Sequence, residues 1–214
     1  MKIISITSKA EVAKYRGENV PVMAIDLGFS GRKETTGYAC SPDSPDGEAI
    51  KYSEALSRVA RIAEEHSQSI LILEAPLCGR FEDGNPIARG PFEEAATGTR
   101  PKHWNIGAGA AVALAAIHFL LHLNEKLRSC NSTIYLIEGF ISGDNKPKLA
   151  KGRASKTSQH AADAALLLQS FNNDTKCDDF IETGPADDVL VTTRILGIES
   201  DCRPAIILKP RPRQ

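Results

Sequence analysis

Val20–Cys40 reads VPVMAIDLGFSGRKETTGYAC, and this stretch decides the fold class. Val20–Ile25 is a short apolar run closed by Asp26-Leu27-Gly28, the pattern of a strand buried on both faces. Thr35–Cys40 is rich in β-branched and aromatic residues and follows a polar turn carrying Gly31, Arg32 and Lys33. Together the two segments predict an antiparallel hairpin. Past a loop of Pro, Asp, Ser and Gly at 41–47, Glu48–Ser53 reads as a third strand.

Further along, Ser53 is placed to cap a helix whose apolar positions, Ala55, Leu56, Val59, Ala60 and Ile62, follow the 3.6-residue repeat. Ile70–Leu73 is again a buried strand, closed by Glu74-Ala75-Pro76. Cys78–Lys102 is dense in Gly, Pro, Arg and Glu without periodicity, which predicts a long loop, either functional or disordered. Ile106–Leu123 (IGAGAAVALAAIHFLLHL) approaches the length of a bilayer span. Its Ala and Gly content, its two histidines and its isolation argue for a helix buried inside a domain, with no membrane partner. Ile134–Ile137 is a strand ending at Glu138, and a helix runs from about Ser158 to Phe171 with Ala161, Ala165, Leu166 and Leu168 on its apolar side. Asp174–Asp188 is acidic, read as solvated surface or as a cover for a basic groove. Val189–Ile198 and Ala205–Leu208 fit helix or strand equally, and the basic tail Lys209–Gln214 is expected to fray. A hairpin-led sheet followed by strand–helix units defines an α/β protein, a mixed sheet with helices packed on its faces. We expect one domain over 1–214, with a core at about 20–171 and a C-terminal extension at about 172–214.

Composition narrows the function classes. The 214 residues carry 26 Lys+Arg against 27 Asp+Glu, and 42% are hydrophobic, which excludes wholesale disorder, collagen and coiled-coil arrays. A net charge of −1 excludes a uniformly basic protein and leaves a local basic patch open. Cys40, Cys78, Cys130, Cys177 and Cys202 are an odd set without a CxxC pair, so neither a zinc ribbon nor a disulfide framework is indicated. With no secretory signal at Met1–Ala10, a reduced, cytoplasmic protein is expected. The chain has no GxGxxG, GxxxxGK[ST] or GxSxG, which leaves nicotinamide cofactors, P-loop hydrolysis and acyl transfer without support.

The chemistry-bearing residues are acids at the ends of apolar elements. Asp26, Glu74 and Glu138 each close a strand, and Asp163 interrupts the face of the helix HAADAALLL. A single such acid is commonly a cap or a surface group. Several converging in one sheet would repel strongly unless a divalent cation held them, and oxygen donors suit Mg²⁺ or Mn²⁺. Two ions on shared carboxylates can hydrolyse a phosphodiester. His160 shares a helical face with Asp163 and could protonate a leaving group, bind metal or orient a water. Lys146, Lys148, Lys151, Arg153 and Lys156, with Arg89, Arg100 and Lys102 from the long loop, are candidates to neutralise the phosphates of DNA or RNA. His118 and His122, at i and i+4, could pair on a metal, but no third ligand is apparent, which favours hydrogen-bonded structural histidines.

These segments also resemble a known family. Asp26-Leu27-Gly28 followed by Thr36-Gly37-Tyr38-Ala39 is similar to the opening hairpin of the ribonuclease-H-like superfamily. Glu74 after its strand, then His160-Ala161-Ala162-Asp163-Ala164, resembles the RuvC-type resolvase arrangement within it, and Glu74-Ala75-Pro76-Leu77 with Ile137-Glu138 resembles a group of predicted nucleases of that fold. The resemblance spans roughly 20–171. It implies a metal-dependent nuclease in which Asp26, Glu74 and Asp163 ligate the ions, with Glu138 or His160 assisting, and it is compatible with a homodimer. The long loop and the region after Phe171 depart from that pattern. Two rival readings remain: a non-catalytic nucleic-acid-binding or scaffold protein of the same fold, and ATP-linked phosphotransfer, since Asp-Leu-Gly after a strand also resembles the actin-like and sugar-kinase phosphate loop.

Overall fold

In the computed structural model, residues 1–28, 33–83, 85–89, 92–93, 108–141, 156–174, 176–183, 189–197 and 204–211 are described. In chain order the elements are β1 (Lys2–Ser5), α1 (Lys9–Gly17), β2 (Val22–Asp26), β3 (Thr36–Ser41), β4 (Ser44–Ile50), α2 (Tyr52–Glu65), β5 (Gln68–Glu74), β6 (Cys78–Glu82) and β7 (Asn85–Ile87). There follow α3 (Ala108–Lys126), β8 (Thr133–Gly139), α4 (Lys156–Asn173), β9 (Phe180–Ile181), β10 (Val189–Val191), α5 (Thr192–Ile195) and β11 (Ile207–Leu208). The class is α/β with a mixed sheet, as the hairpin and the strand–helix units predict.

The apolar run after Val20 becomes β2, antiparallel to β3 on one side and parallel to β5 on the other. The strand order is β4-β3-β2-β5-β8-β11-β9, with β1 also pairing with β8. β1 and β11 lie end to end along β8, joined where the Ile206 amide donates to the Ile6 carbonyl. The sheet therefore draws on residues outside 20–171 at both ends of the chain.

Strand side chains alternate between faces, so each face of the sheet has its own core. Met23, Ile25, Leu71, Leu73, Ile134 and Leu136 point to one side, where they meet Val59 and Ile62 of α2 and Phe119, Leu120 and Leu123 of α3. Val22, Ala24, Ala39, Ile70, Ile72 and Ile137 point to the other, under Ala164, Leu167, Leu168 and Phe171 of α4. Burying each of the Val, Leu, Ile, Met and Phe side chains among them contributes about 1.5–3 kcal/mol.

α4 lies directly on the hairpin because the hairpin is small there. A Cβ added at Gly37 would stand 1.9 Å from the His160 carbonyl oxygen, and one at Gly47, where φ is +76°, would stand 2.2 Å from that of Ala161. Gly37→Ala is expected to push α4 outward and cost about 3 kcal/mol, the upper end of overpacking. A thermal melt checks this, and a transition indistinguishable from wild type would refute it.

Several local expectations give way. The third strand ends at Ile50, and α2 starts at Tyr52 with Lys51 as its N-cap, so Ser53 lies inside the helix and caps nothing. The long loop contains β6 and β7, which form a three-stranded antiparallel sheet with β10. Val189–Ile198 is both things at once, strand β10 running into helix α5. The α3 helix is only half buried: Leu114 is 67% exposed and Leu121 38%. Its interior side rests on the sheet while the other faces solvent. Among the described residues no helix is long and apolar enough to cross a membrane. The start of the tail is tied down, since the Lys209 amide donates to Asp179 and Arg211 pairs with Asp178 and Asp179.

Candidate metal centre

Asp26 is the last residue of β2, Glu74 the last of β5, and the two are directly paired in the ladder. They follow Ala24 and Ile72 at two-residue spacing, so both carboxylates emerge on the α4 face. Asp163, in the N-terminal half of α4, comes down to meet them. One oxygen from each of the three lies within 4.8 Å of the others, and all three residues are buried. Asp163 is fully enclosed, while Asp26 and Glu74 keep 7% exposure each, which sets the cup at the edge of the core.

Two neighbours on α4 hold the cup's walls. His160 Nδ1 is 2.6 Å from Asp26 Oδ2. Gln159 Nε2 donates to Asp163 Oδ1 at 2.7 Å, an i, i+4 contact. Three ionised carboxylates at this spacing repel by roughly 3–4 kcal/mol per pair at an effective dielectric of about 20. His160, if protonated, offsets one charge of the three. The donor set is all hard oxygen, which fits Mg²⁺ or Mn²⁺ and is unsuited to softer ions.

Glu138 does not join this cup. It is paired across from Leu73, not Glu74, so its side chain projects to the opposite face of the sheet. There it is fully buried and takes two contacts from Arg89 Nη1, at 2.7 Å to Oε1 and 2.8 Å to Oε2. The Leu77 amide also donates to Oε2, at 2.8 Å. Arg89 reaches Glu93 as well, at 2.7 Å. Burial pushes the Glu138 carboxyl up against the pull of Arg89. Burial works against the Arg89 charge too, but Glu138 and the other facing groups outweigh it and hold the guanidinium firmly protonated. Glu138 and Arg89, expected at the metal and on phosphate, are instead paired with each other on the face of the sheet away from the cup. Their common role is to fasten the chain after Glu74 to the end of β8.

Cys78 lies in the same cluster, its Sγ 3.2 Å from Arg89 Nη1. Burial first, then the Glu138 charge, push its thiol up to about 12. Cys78 is expected to resist alkylation in the native protein at pH 8, while half-exposed Cys130 reacts. Peptide mapping after iodoacetamide treatment checks this; early labelling of Cys78 would contradict it.

Lys146, Lys148, Lys151, Arg153, Arg100 and Lys102 lie outside the described residues, as does the side chain of Lys156, whose backbone opens α4. Two site residues escaped the sequence reading. Gln159 carried a usable signal, four residues before Asp163. Glu93 carried none, because the segment that holds it and its partner Arg89 has no periodicity to mark the contact. No protein-family model matches the chain, and no curated protein or solved structure is significantly similar to it.

Proposed function

We propose that the protein is a metal-dependent nuclease of ribonuclease-H-like fold that hydrolyses phosphodiester bonds of DNA or RNA. The observation that carries this reading is the convergence of Asp26, Glu74 and Asp163, from two adjacent strands and a later helix, into one buried oxygen cup. The hairpin-led sheet with parallel β5 and β8 added beside β2 supports it, being the arrangement that the resemblance implies.

Asp26, central among the three elements, would be the shared ligand, with Glu74 and Asp163 completing the set. Divalent ions, if held there, would supply an activated water and stabilise the leaving oxygen. His160 fixes the Asp26 carboxylate through Oδ2 and, with its side chain 29% exposed, can pass a proton to the departing group. Gln159 holds Asp163 in its rotamer. The basic residues at 146–156 would bring counter-charge to the phosphates. A homodimer belongs to the same proposal, by analogy with resolvases.

The test is incubation with Mn²⁺ and a labelled panel of single-stranded, duplex, hybrid and branched substrates, with an EDTA control. Cleavage that EDTA abolishes supports the reading. Tight, salt-sensitive binding without turnover across the panel would replace it with the non-catalytic binding protein.

A further inference from the structure

On the outer side of α3, the rings of His118 and His122 meet edge to face with centroids 4.2 Å apart, and their Nε2 atoms are 3.0 Å apart. Each ring is held from behind through its other nitrogen. The Tyr52 hydroxyl, on α2, donates to the Ala115 carbonyl at 3.3 Å and lies 2.9 Å from His118 Nδ1. When the hydroxyl donates to Ala115, its oxygen can accept from a His118 Nδ1–H. His122 Nδ1 is 3.1 Å from Glu125 Oε2. An ionised carboxylate only accepts, so Glu125 favours the His122 tautomer with its proton on Nδ1.

In that tautomer pair both Nε2 atoms carry a lone pair, 3.0 Å apart. Two lone pairs so close repel unless the nitrogens share a proton or a metal ion. Two imidazole nitrogens on one tetrahedral ion, with bonds of about 2.0–2.1 Å, sit about 3.3 Å apart, close to the separation found here. Histidine ligands are usually oriented by an acceptor on the distal nitrogen, most often a carboxylate, as Glu125 is for His122.

We propose that His118 and His122 form a surface site for a borderline divalent transition ion of the zinc, nickel or copper class. Their Nε2 atoms are the ligands, Tyr52 and Glu125 orient the rings, and water completes the coordination. The His122 side chain is 43% exposed, so an ion can approach. The site differs from the acidic cup in both place and chemistry: it sits on the α2–α3 side of the sheet, and imidazole nitrogen selects ions that the hard oxygen set does not favour. It stands whether or not the protein is a nuclease.

The experiment is calorimetric titration of the full chain, free of any histidine tag, with Ni²⁺ or Zn²⁺ under excess Mg²⁺ to occupy the cup. One ion per chain is expected. His118→Ala or His122→Ala should weaken it by at least about 100-fold, and Glu125→Ala by roughly 10- to 100-fold, while Asp26→Asn leaves it unchanged. Paramagnetic resonance with Cu²⁺ should show coupling to two imidazole nitrogens in wild type and one in either single variant. No binding by wild type, unchanged affinity in His122→Ala, or loss of binding in Asp26→Asn would each overturn the proposal. The first of these would mean that the two rings share a proton.

Discussion

Asp26→Asn is expected to lower Mn²⁺-dependent cleavage by more than roughly 100-fold, since a direct ligand should matter more than the outer partners that cost 10- to 100-fold. The fold should survive, because asparagine keeps an oxygen for His160 and fills the same space. In EDTA the variant should melt no lower than wild type, since one of three mutually repelling charges is gone. With Mn²⁺ the order reverses. Wild type at about 100 times Kd gains about 2.7 kcal/mol, roughly 5–10 °C in Tm for a chain of this size, and the variant gains little. Equal Mn²⁺-induced shifts in the two proteins, read by differential scanning fluorimetry, would show that Asp26 holds no ion.

Glu138→Ala should do the opposite. It removes the principal partner of Arg89, which is buried with a side chain only 3% exposed. Breaking a buried pair from one side typically costs 3–5 kcal/mol, because the remaining charge cannot regain water. The Leu77 amide loses its acceptor at the same stroke. Urea denaturation should report the loss as a lower midpoint. Glu138→Gln keeps an acceptor for Leu77, so it should fold well enough to bind Mn²⁺ and show the wild-type Mn²⁺ stabilisation. If Glu138→Gln abolished that stabilisation, Glu138 would belong to the metal centre after all. The contrast with Asp26→Asn separates a group that holds an ion from one that holds the scaffold.

Much of the sheet was legible in the sequence. VMAI, ILIL and YLI are short unbroken apolar runs closed by turn signals, the pattern of a strand covered on both faces. The polar turn before Thr36 marked the hairpin. What escaped had weak or non-local signals. β1 is four residues long, and its partner β8 lies far along the chain. α1 does carry a local mark, the Ser8 side chain that accepts from the Glu11 amide at capping spacing. β6 and β10 stabilise each other only once 78–82 and 189–191 are brought together, and neither is regular enough to stand out alone.

The candidate site divides along the same line. From the residues alone, LILE at 71–74 and YLIE at 135–138 are the same message: a buried strand that ends in an acid. Sequence determines that each acid exists and that burying it demands a partner. It does not determine the partner. The β5–β8 register sets Glu74 opposite Gly139 and Glu138 opposite Leu73, a stagger of one residue. Because side chains on a strand alternate with a period of two, that single step sends Glu74 toward Asp163 and Glu138 through to Arg89.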